Sequence, residues 1–158
     1  AVNDSIERFY RDPAVPLNRS IRVSLRPDNT YRWDDRTAVY RVSGKSHTYL
    51  GGNVLNGKIR FSTREFGVFT ILKDTKAPTV RPLQLNSQTV RFKITDDLSG
   101  IATYEATVDG KWLLMHYDAK TNIIWSQKLT ITEPLHGELQ LVVTDNAGNK
   151  QVFKQTIK

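Results

Sequence analysis

Two short polar segments in the second half of the chain hold most of the oxygen-rich side chains that could do chemistry. Asp96 and Asp97 lie in DDLSGI, and Asp145 and Asn146 lie in TDNAGN. Carboxylate and amide oxygens are ligands for calcium, so these four residues would form a calcium site if they met at one end of a domain. Neither segment has the spacing of an EF-hand loop, and Asp, Asn and Gly are also the residues that hold tight turns. We favour structural turns whose Asp side chains accept backbone amide hydrogens.

The histidines do not have the spacing of a metal site or of a charge relay. His47, His116 and His136 stand in three separate segments, and His116 and Asp118 have the i and i+2 spacing of many structural strand pairs. The chain has no cysteine, zincin motif, nucleophile elbow or glycine-rich phosphate loop. The sequence therefore predicts a non-catalytic chain with no metal site of its own.

Several aromatic residues lie in polar surroundings and are candidates for stacking on sugar rings. Tyr31 and Trp33 lie in NTYRWDDR beside Arg36, and Trp125 lies near a predicted turn. Core packing is the alternative for each ring, and it is the prediction for Trp112, which begins an apolar strand. We therefore treat Tyr31, Trp33, Arg36 and Trp125 as candidate glycan-binding residues.

The positive charge is concentrated in the first half. The chain of 158 residues has a net charge of +7, and residues 1–75 contain 13 basic residues, ten of them arginines, against 8 acidic residues. Arginine suits anionic polymers such as nucleic acid or cell-wall polymer. Because the arginines are dispersed along alternating strands, we favour a solvated face and predict no nucleic-acid partner.

Alternation of apolar and polar residues dominates the chain and predicts β-strands. In SIRVSL, Ile21, Val23 and Leu25 share one face. The dipeptides Asn56-Gly57 and Asp109-Gly110 have the composition of two-residue hairpin turns. Further apolar faces are predicted at Ala38, Tyr40 and Val42; Ile59 and Phe61; Phe69 and Ile71; Val90, Phe92 and Ile94; Ala102, Tyr104, Ala106 and Val108; and Phe153 and Ile157.

The segment from Lys73 to Pro82 contains two prolines between strand-rich halves, which predicts a connector. We therefore predict an all-β chain of two small β-sandwich domains, 1–75 and 76–158. The second is predicted to be immunoglobulin-like, because it has about seven short strands with regularly spaced turns. The spacing in SIERFYR is also compatible with a short helix, and that segment is left open. Other local predictions are a turn at Pro27-Asp28-Asn29 and a strand from Lys128 to Ile131. No apolar stretch is long enough to span a membrane.

The order of three segments resembles a known family. FGVFTILKDTKAPTVRP, RFKITDDLSGIATYEATVDGKWLLMHYDAKTN and LVVTDNAGN resemble the C-terminal region that follows the catalytic domain in M23-family (LytM/lysostaphin-like) zinc metallopeptidases of Bacteroidetes. The preceding VYRVSGKSHTYLGGNVLNGKIRFSTREFG resembles the β-rich domain that comes before the immunoglobulin-like one in those proteins.

This resemblance implies a setting in the cell envelope. The family's zinc site uses His-x-x-x-Asp and a downstream His-x-His, but Gly51, Lys120 and Gln140 stand four residues after the three histidines. The resemblance thus implies a non-catalytic accessory region, periplasmic or at the cell surface, with zinc only in an upstream catalytic domain. Its partners would be that peptidase domain and peptidoglycan or a surface glycan. The alternative is a carbohydrate-binding or adhesin module. Since AVNDSIERFY has no signal-peptide features, we expect any signal peptide to lie upstream.

Overall fold

The computed structural model describes residues 9–10, 17–27, 31–128 and 132–158. Its regular elements are all strands in these ranges, so the all-β prediction is confirmed. The chain divides into two compact units, Ala1–Thr75 and Lys76–Lys158. Of SIERFYR, the two described residues Phe9–Tyr10 form a strand. The rest of that segment, most of the turn at Pro27-Asp28-Asn29 and most of the segment from Lys128 to Ile131 lie outside the described residues.

The described residues of the first unit form two antiparallel sheets. The sheet orders are β1-β7-β3-β4 and β2-β6-β5. The strands are β1 (Phe9–Tyr10), β2 (Ile21–Leu25), β3 (Thr37–Ser43), β4 (Ser46–Gly51), β5 (Asn53–Leu55), β6 (Lys58–Thr63) and β7 (Val68–Lys73).

Residues from both sheets form the core of this unit. The predicted inward faces of β2, β6 and β7 are confirmed, and the rings of Phe61 and Phe69 lie 5.2 Å apart across the core. The buried members are Leu25, Val39, Ile59, Phe61, Phe69 and Ile71.

The prediction for β3 named one of two buried faces. Val39 joins the core cluster with its cross-strand partner Ile71, whereas the predicted Ala38 and Tyr40 are buried on the opposite face. A strand that is buried on both faces loses the hydrophobic alternation that would distinguish them. Periodicity therefore identified the strand and one buried face, and it missed that Val39 on the other face joins the core cluster.

Two glycine positions shape the first unit. Asn56 and Gly57 have φ angles of 52° and 70°, which confirms the two-residue hairpin between β5 and β6. Between β4 and β5, Gly52 has a φ of 135°, and a Cβ atom there would lie 2.7 Å from Cγ1 of Ile59. The absence of a side chain at Gly52 therefore lets the chain cross from one sheet to the other against the core.

The second unit is an immunoglobulin-like β-sandwich, as predicted. Its sheet orders are β11-β10-β14-β15 and β12-β13-β9-β8, with all pairs antiparallel. The strands are β8 (Thr79–Leu85), β9 (Val90–Thr95), β10 (Ile101–Val108), β11 (Lys111–Leu113), β12 (Met115–Asp118), β13 (Ile123–Ser126), β14 (Gly137–Asp145) and β15 (Lys150–Ile157).

The core of the second unit follows the predicted alternation, and Ala102 departs from it. Phe92 and Ile94 of β9 are fully buried with Leu141 of β14. Ala102 is exposed instead of facing inward, because the register of β10 and β14 shifts between Ile101 and Thr103. Such a bulge moves one residue out of the alternation.

Strand β8 forms one edge of its sheet and contains an irregularity. Its pairing with β9 shifts register between Pro82 and Gln84, and the intervening Leu83 is exposed. Proline is tolerated here because it has no backbone N–H to donate, a property compatible with an edge position.

Candidate functional site on the outer face of a four-stranded sheet

The carboxylate of Asp145 is engaged within its own turn. Its Oδ1 accepts hydrogen bonds from the amides of Ala147 and Asn149 at 2.9 and 2.8 Å, and its Oδ2 accepts one from Nδ2 of Asn149 at 2.8 Å. Asp96 caps the other segment, where its Oδ2 accepts from the amides of Leu98 and Gly100 at 3.1 and 2.7 Å. These bonds confirm the predicted turns.

Asn146 joins the two polar segments. Its Nδ2 donates to the carbonyl oxygens of Ser99 and Gly100 at 2.9 and 3.2 Å, and its amide donates to the carbonyl of Gly100 at 3.0 Å. The two segments therefore meet, which is the condition that the calcium alternative set. The hydrogen bonds of Asn146 connect the two turns, so their proximity has a structural explanation.

Trp125 lies on the solvent-facing side of the sheet β12-β13-β9-β8 in the second unit. On β13 the neighbouring Ile124 is fully buried in the core, so Trp125 and Ile123 project from the opposite face. The strand register places Trp125 directly opposite His116 on one side and Arg91 on the other. The indole therefore lies at the centre of a cross-strand row.

The Trp125 ring is supported from β12. The rings of His116 and Trp125 are stacked, with centroids 5.5 Å apart and planes inclined by 24°. The His116 Nε2 atom also contacts Oε1 of Gln127. The Trp125 indole is half-buried and stacked on the His116 ring. It therefore loses little further conformational freedom when a ligand stacks on it.

An open groove of about 560 Å³ runs beside Trp125. Its walls combine an apolar part, a cation, a carboxylate and neutral hydrogen-bonding groups. We name this surface the Trp125 platform. It is lined by Gln84, Thr89, Arg91, Asp118, Thr121, Ile123 and Trp125. An aromatic plane surrounded by polar groups fits a sugar, which has apolar ring faces and a rim of hydroxyls.

The Asp118 side chain is fixed by the turn that follows β12. Its Oδ2 accepts a hydrogen bond from Oγ1 of Thr121 at 2.7 Å, and its Oδ1 accepts one from the amide of Lys120 at 3.0 Å. These bonds lower the pKa of Asp118, with the Thr121 hydroxyl as the largest cause. The groove therefore keeps a negative charge at neutral pH.

Tyr117 anchors the same turn from the inner side of β12. Its hydroxyl donates to Oδ1 of Asn122 at 3.0 Å, and its ring lies 5.7 Å from that of Tyr104. Burial raises the pKa of Tyr117, with smaller contributions from Tyr104 and Asp118. The phenol therefore stays protonated and can keep donating to Asn122.

The four predicted glycan-binding residues are divided between the two units. Tyr31 and Trp33 belong to the first unit, where their rings lie 4.8 Å apart and both pack against its core. Arg36 is exposed and its amide donates to Oδ1 of Asp34 at 3.0 Å. Trp125, in the second unit, lines a groove that also contains several polar groups.

A Zu5-like domain matches residues 8–74. This stretch covers most of the first unit, which is thus similar to Zu5-like domains. No curated protein matches the chain.

Trp112 corrects a prediction. Its side chain is 62% exposed, whereas its neighbour Leu113 is buried. Because side chains alternate along a strand, Trp112 faces away from the core when Leu113 faces into it. β11 is also an edge strand, so no further strand of the sheet flanks the indole. Trp112 therefore offers a second solvent-exposed indole in the same unit, outside the Trp125 platform.

The remaining histidines have ordinary surroundings. His136 Nδ1 lies 3.0 Å from the carbonyl oxygen of Ile157, and His47 is exposed on β4. In the described part of the chain, no helix is long and apolar enough to cross a membrane.

Proposed function

We propose that this chain is a non-catalytic accessory region of a bacterial cell-envelope protein, and that it positions an upstream M23-like zinc metallopeptidase domain on peptidoglycan. The resemblance from Gly67 to Asn149 supports this proposal. The hydrogen bonds that Asp96, Asp145 and Asn146 make within the turns also support it. These are the side chains that could otherwise have bound a metal ion. The proposed location is the periplasm or the cell surface.

The proposed mechanism is tethering. A domain that holds the wall keeps an attached enzyme near its substrate and raises the effective concentration of that enzyme. On this proposal zinc belongs to the catalytic domain, and residues 1–158 contribute contacts to the wall or to the peptidase domain.

The test begins with the codons upstream of Ala1. We expect them to encode His-x-x-x-Asp followed by His-x-His, and a different sequence there would overturn the peptidase link. The parent protein is then assayed with and without residues 1–158. Deletion should lower hydrolysis of insoluble sacculi by at least about tenfold through lost tethering, while hydrolysis of a soluble peptide stays unchanged. Equal activity on sacculi would contradict tethering.

A second candidate function is a carbohydrate-binding surface module, and the Trp125 platform is the observation that favours it. The assay is cosedimentation of this chain with insoluble peptidoglycan. Trp125→Ala should weaken retention by about tenfold because a stacking surface is lost. Trp112→Ala is the comparison variant, since it removes an exposed indole that lines a separate groove of the same unit.

The two variants separate specific from general adsorption. Retention that falls only in Trp125→Ala supports the binding module. An equal fall in both variants contradicts a specific site at the Trp125 platform, and a wild-type chain that stays in the supernatant contradicts wall binding. Arg36→Ala tests the first-unit candidate, because Arg36 is exposed whereas Trp33 also packs against the core.

A further inference from the structure

The three-stranded sheet of the first unit has a strongly basic outer face. Ile59 and Phe61 of β6 point into the core, so Lys58 and Arg60 project outward. On β2, Arg22 projects outward from between Ile21 and Val23. Arg26 and Arg64 are exposed directly beyond the ends of β2 and β6. We name these five residues, Arg22, Arg26, Lys58, Arg60 and Arg64, the arginine face.

Strand pairing brings these charges together from distant parts of the sequence. β2 and β6 are antiparallel, with Arg22 opposite Ser62 and Ser24 opposite Arg60. Neighbouring strands lie about 4.8 Å apart, and outward residues on one strand recur about every 7 Å. Cations and serines therefore alternate across the two strands. The sequence prediction of dispersed arginines is wrong for this group, whereas the prediction that they face solvent is confirmed.

The arginine face has no acidic residue in its strands. β2, β5 and β6 read IRVSL, NVL and KIRFST, without Asp or Glu. The ion pairs described in this unit, Arg41 with Glu65 and Lys73 with Asp34, use other cations. Within the described ranges, the five cations thus have no ion-pair partner, and their positive potential is directed at solvent.

Arg22 and Arg60 line a groove of about 520 Å³, which also reaches Leu50, Gly52 and Phe61. Asn53 and Ser62 add neutral hydrogen-bonding groups to its lining, and Leu55 adds an apolar side chain that is 52% exposed. The guanidinium fork pairs with two oxygens of a carboxylate, sulfate or phosphate. Anionic groups would thus pair with the arginines, while hydroxyls meet Asn53 and Ser62.

We propose that the arginine face binds a polyanionic glycan, a saccharide chain with carboxylate, sulfate or phosphate groups. A row of cations favours a chain with repeated charges over a single small anion. The aromatic side chain of these three strands, Phe61, is only 5% exposed, so the face lacks the stacking surface that single-stranded nucleic acid uses. This proposal uses a different unit and different residues from the Trp125 platform, and it stands whether or not the tethering proposal does.

The test measures binding of the whole chain to fluorescently labelled heparin, a sulfated and carboxylated glycan, by anisotropy at low salt. Arg22→Gln with Arg60→Gln should weaken binding by at least about tenfold, because two charge-assisted contacts are lost. Arg32→Gln with Lys45→Gln is the matched control, since it removes the same charge at exposed positions outside this sheet. The control should change binding by less than about threefold.

The conservative pair Arg22→Lys with Arg60→Lys keeps the charge and removes the fork, so an intermediate loss supports bidentate recognition. An equal loss in the Gln pair and its control would overturn the site in favour of net charge. Absence of heparin binding by the wild type would overturn it as well. Tighter binding to an oligonucleotide, or to vesicles with anionic lipid, than to heparin would overturn the ligand class. Circular dichroism of each variant confirms that a loss of binding is not a loss of fold.

Discussion

The Trp125 platform and the arginine face are both outer faces of small antiparallel sheets, yet they present opposite chemistry. The platform places one indole among a cation, a carboxylate and an amide. The arginine face presents cations without a nearby carboxylate in its strands. The first composition suits contact with the flat face of a sugar ring, which salt hardly weakens. The second suits a long-range attraction that salt screens. Similar backbone geometry thus supports two kinds of recognition, because the outward residues of a strand are free of core constraints.

The largest expected effect is the difference in salt dependence. Raising NaCl from about 50 mM to about 500 mM should weaken heparin binding by the arginine face about 100-fold, because ions compete for several charged contacts. Binding to chitin, an uncharged glycan, through the Trp125 platform should change less than about threefold over the same range. Anisotropy and bead retention check the two values. Parallel salt curves would contradict the distinction between the two faces.

A smaller effect should follow when the arginine face is given a carboxylate like that of the platform. Ser24 is exposed and lies opposite Arg60, so Ser24→Glu places an anion beside that guanidinium. We expect heparin binding to fall by about tenfold, since the new carboxylate pairs with Arg60 and repels the ligand. Ser24→Gln is the control of similar size and should keep nearly wild-type affinity. A similar loss in both variants would point to shape rather than charge.

The smallest effect concerns the carboxylate of the platform itself. The Thr121 hydroxyl is the largest cause of the lowered pKa of Asp118, so Thr121→Ala should raise that pKa towards its ordinary value. Because the pKa is lowered in the fold, the stabilising bonds of ionised Asp118 are present above its unfolded pKa. They are lost as the pH falls through the lowered folded pKa.

Carboxyl-carbon NMR titration measures this change directly. Thr103→Ala, at an exposed position on the other sheet, is the control and should leave the pKa of Asp118 unchanged. A pKa that is equal in the Thr121 variant and the wild type would show that the hydroxyl does not set it.

Local chemistry made the turns and most strands predictable. Asn56-Gly57 and Asp109-Gly110 adopt the positive φ angles that their composition indicates, and Phe92 and Ile94 are buried as their alternation requires. Two exceptions are explained by how their strands pair. Ala102 sits at a shift of register, and Trp112 lies on an edge strand with nothing beyond it.

The two surfaces were less predictable because each depends on strands that are distant in sequence. Trp125 was a candidate by residue type, but its neighbours Arg91 and His116 follow only from the register of three strands. Arg22 and Arg60 looked dispersed because 38 positions separate their numbers, whereas β2 and β6 are direct neighbours. Alternation predicts which residues face outward, and only strand order predicts which outward residues meet.

The irregular edge strand β8 has a consequence for the protein at high local concentration. An exposed edge with regular N–H and C=O groups can recruit a strand from another copy and start aggregation. At β8, Pro82 lacks a hydrogen to donate, and the shift of register beside it interrupts the regular ladder. This edge is therefore a poor template for strand addition. Copies crowded on a polymer surface would be protected at β8 from merging into a continuous intermolecular sheet.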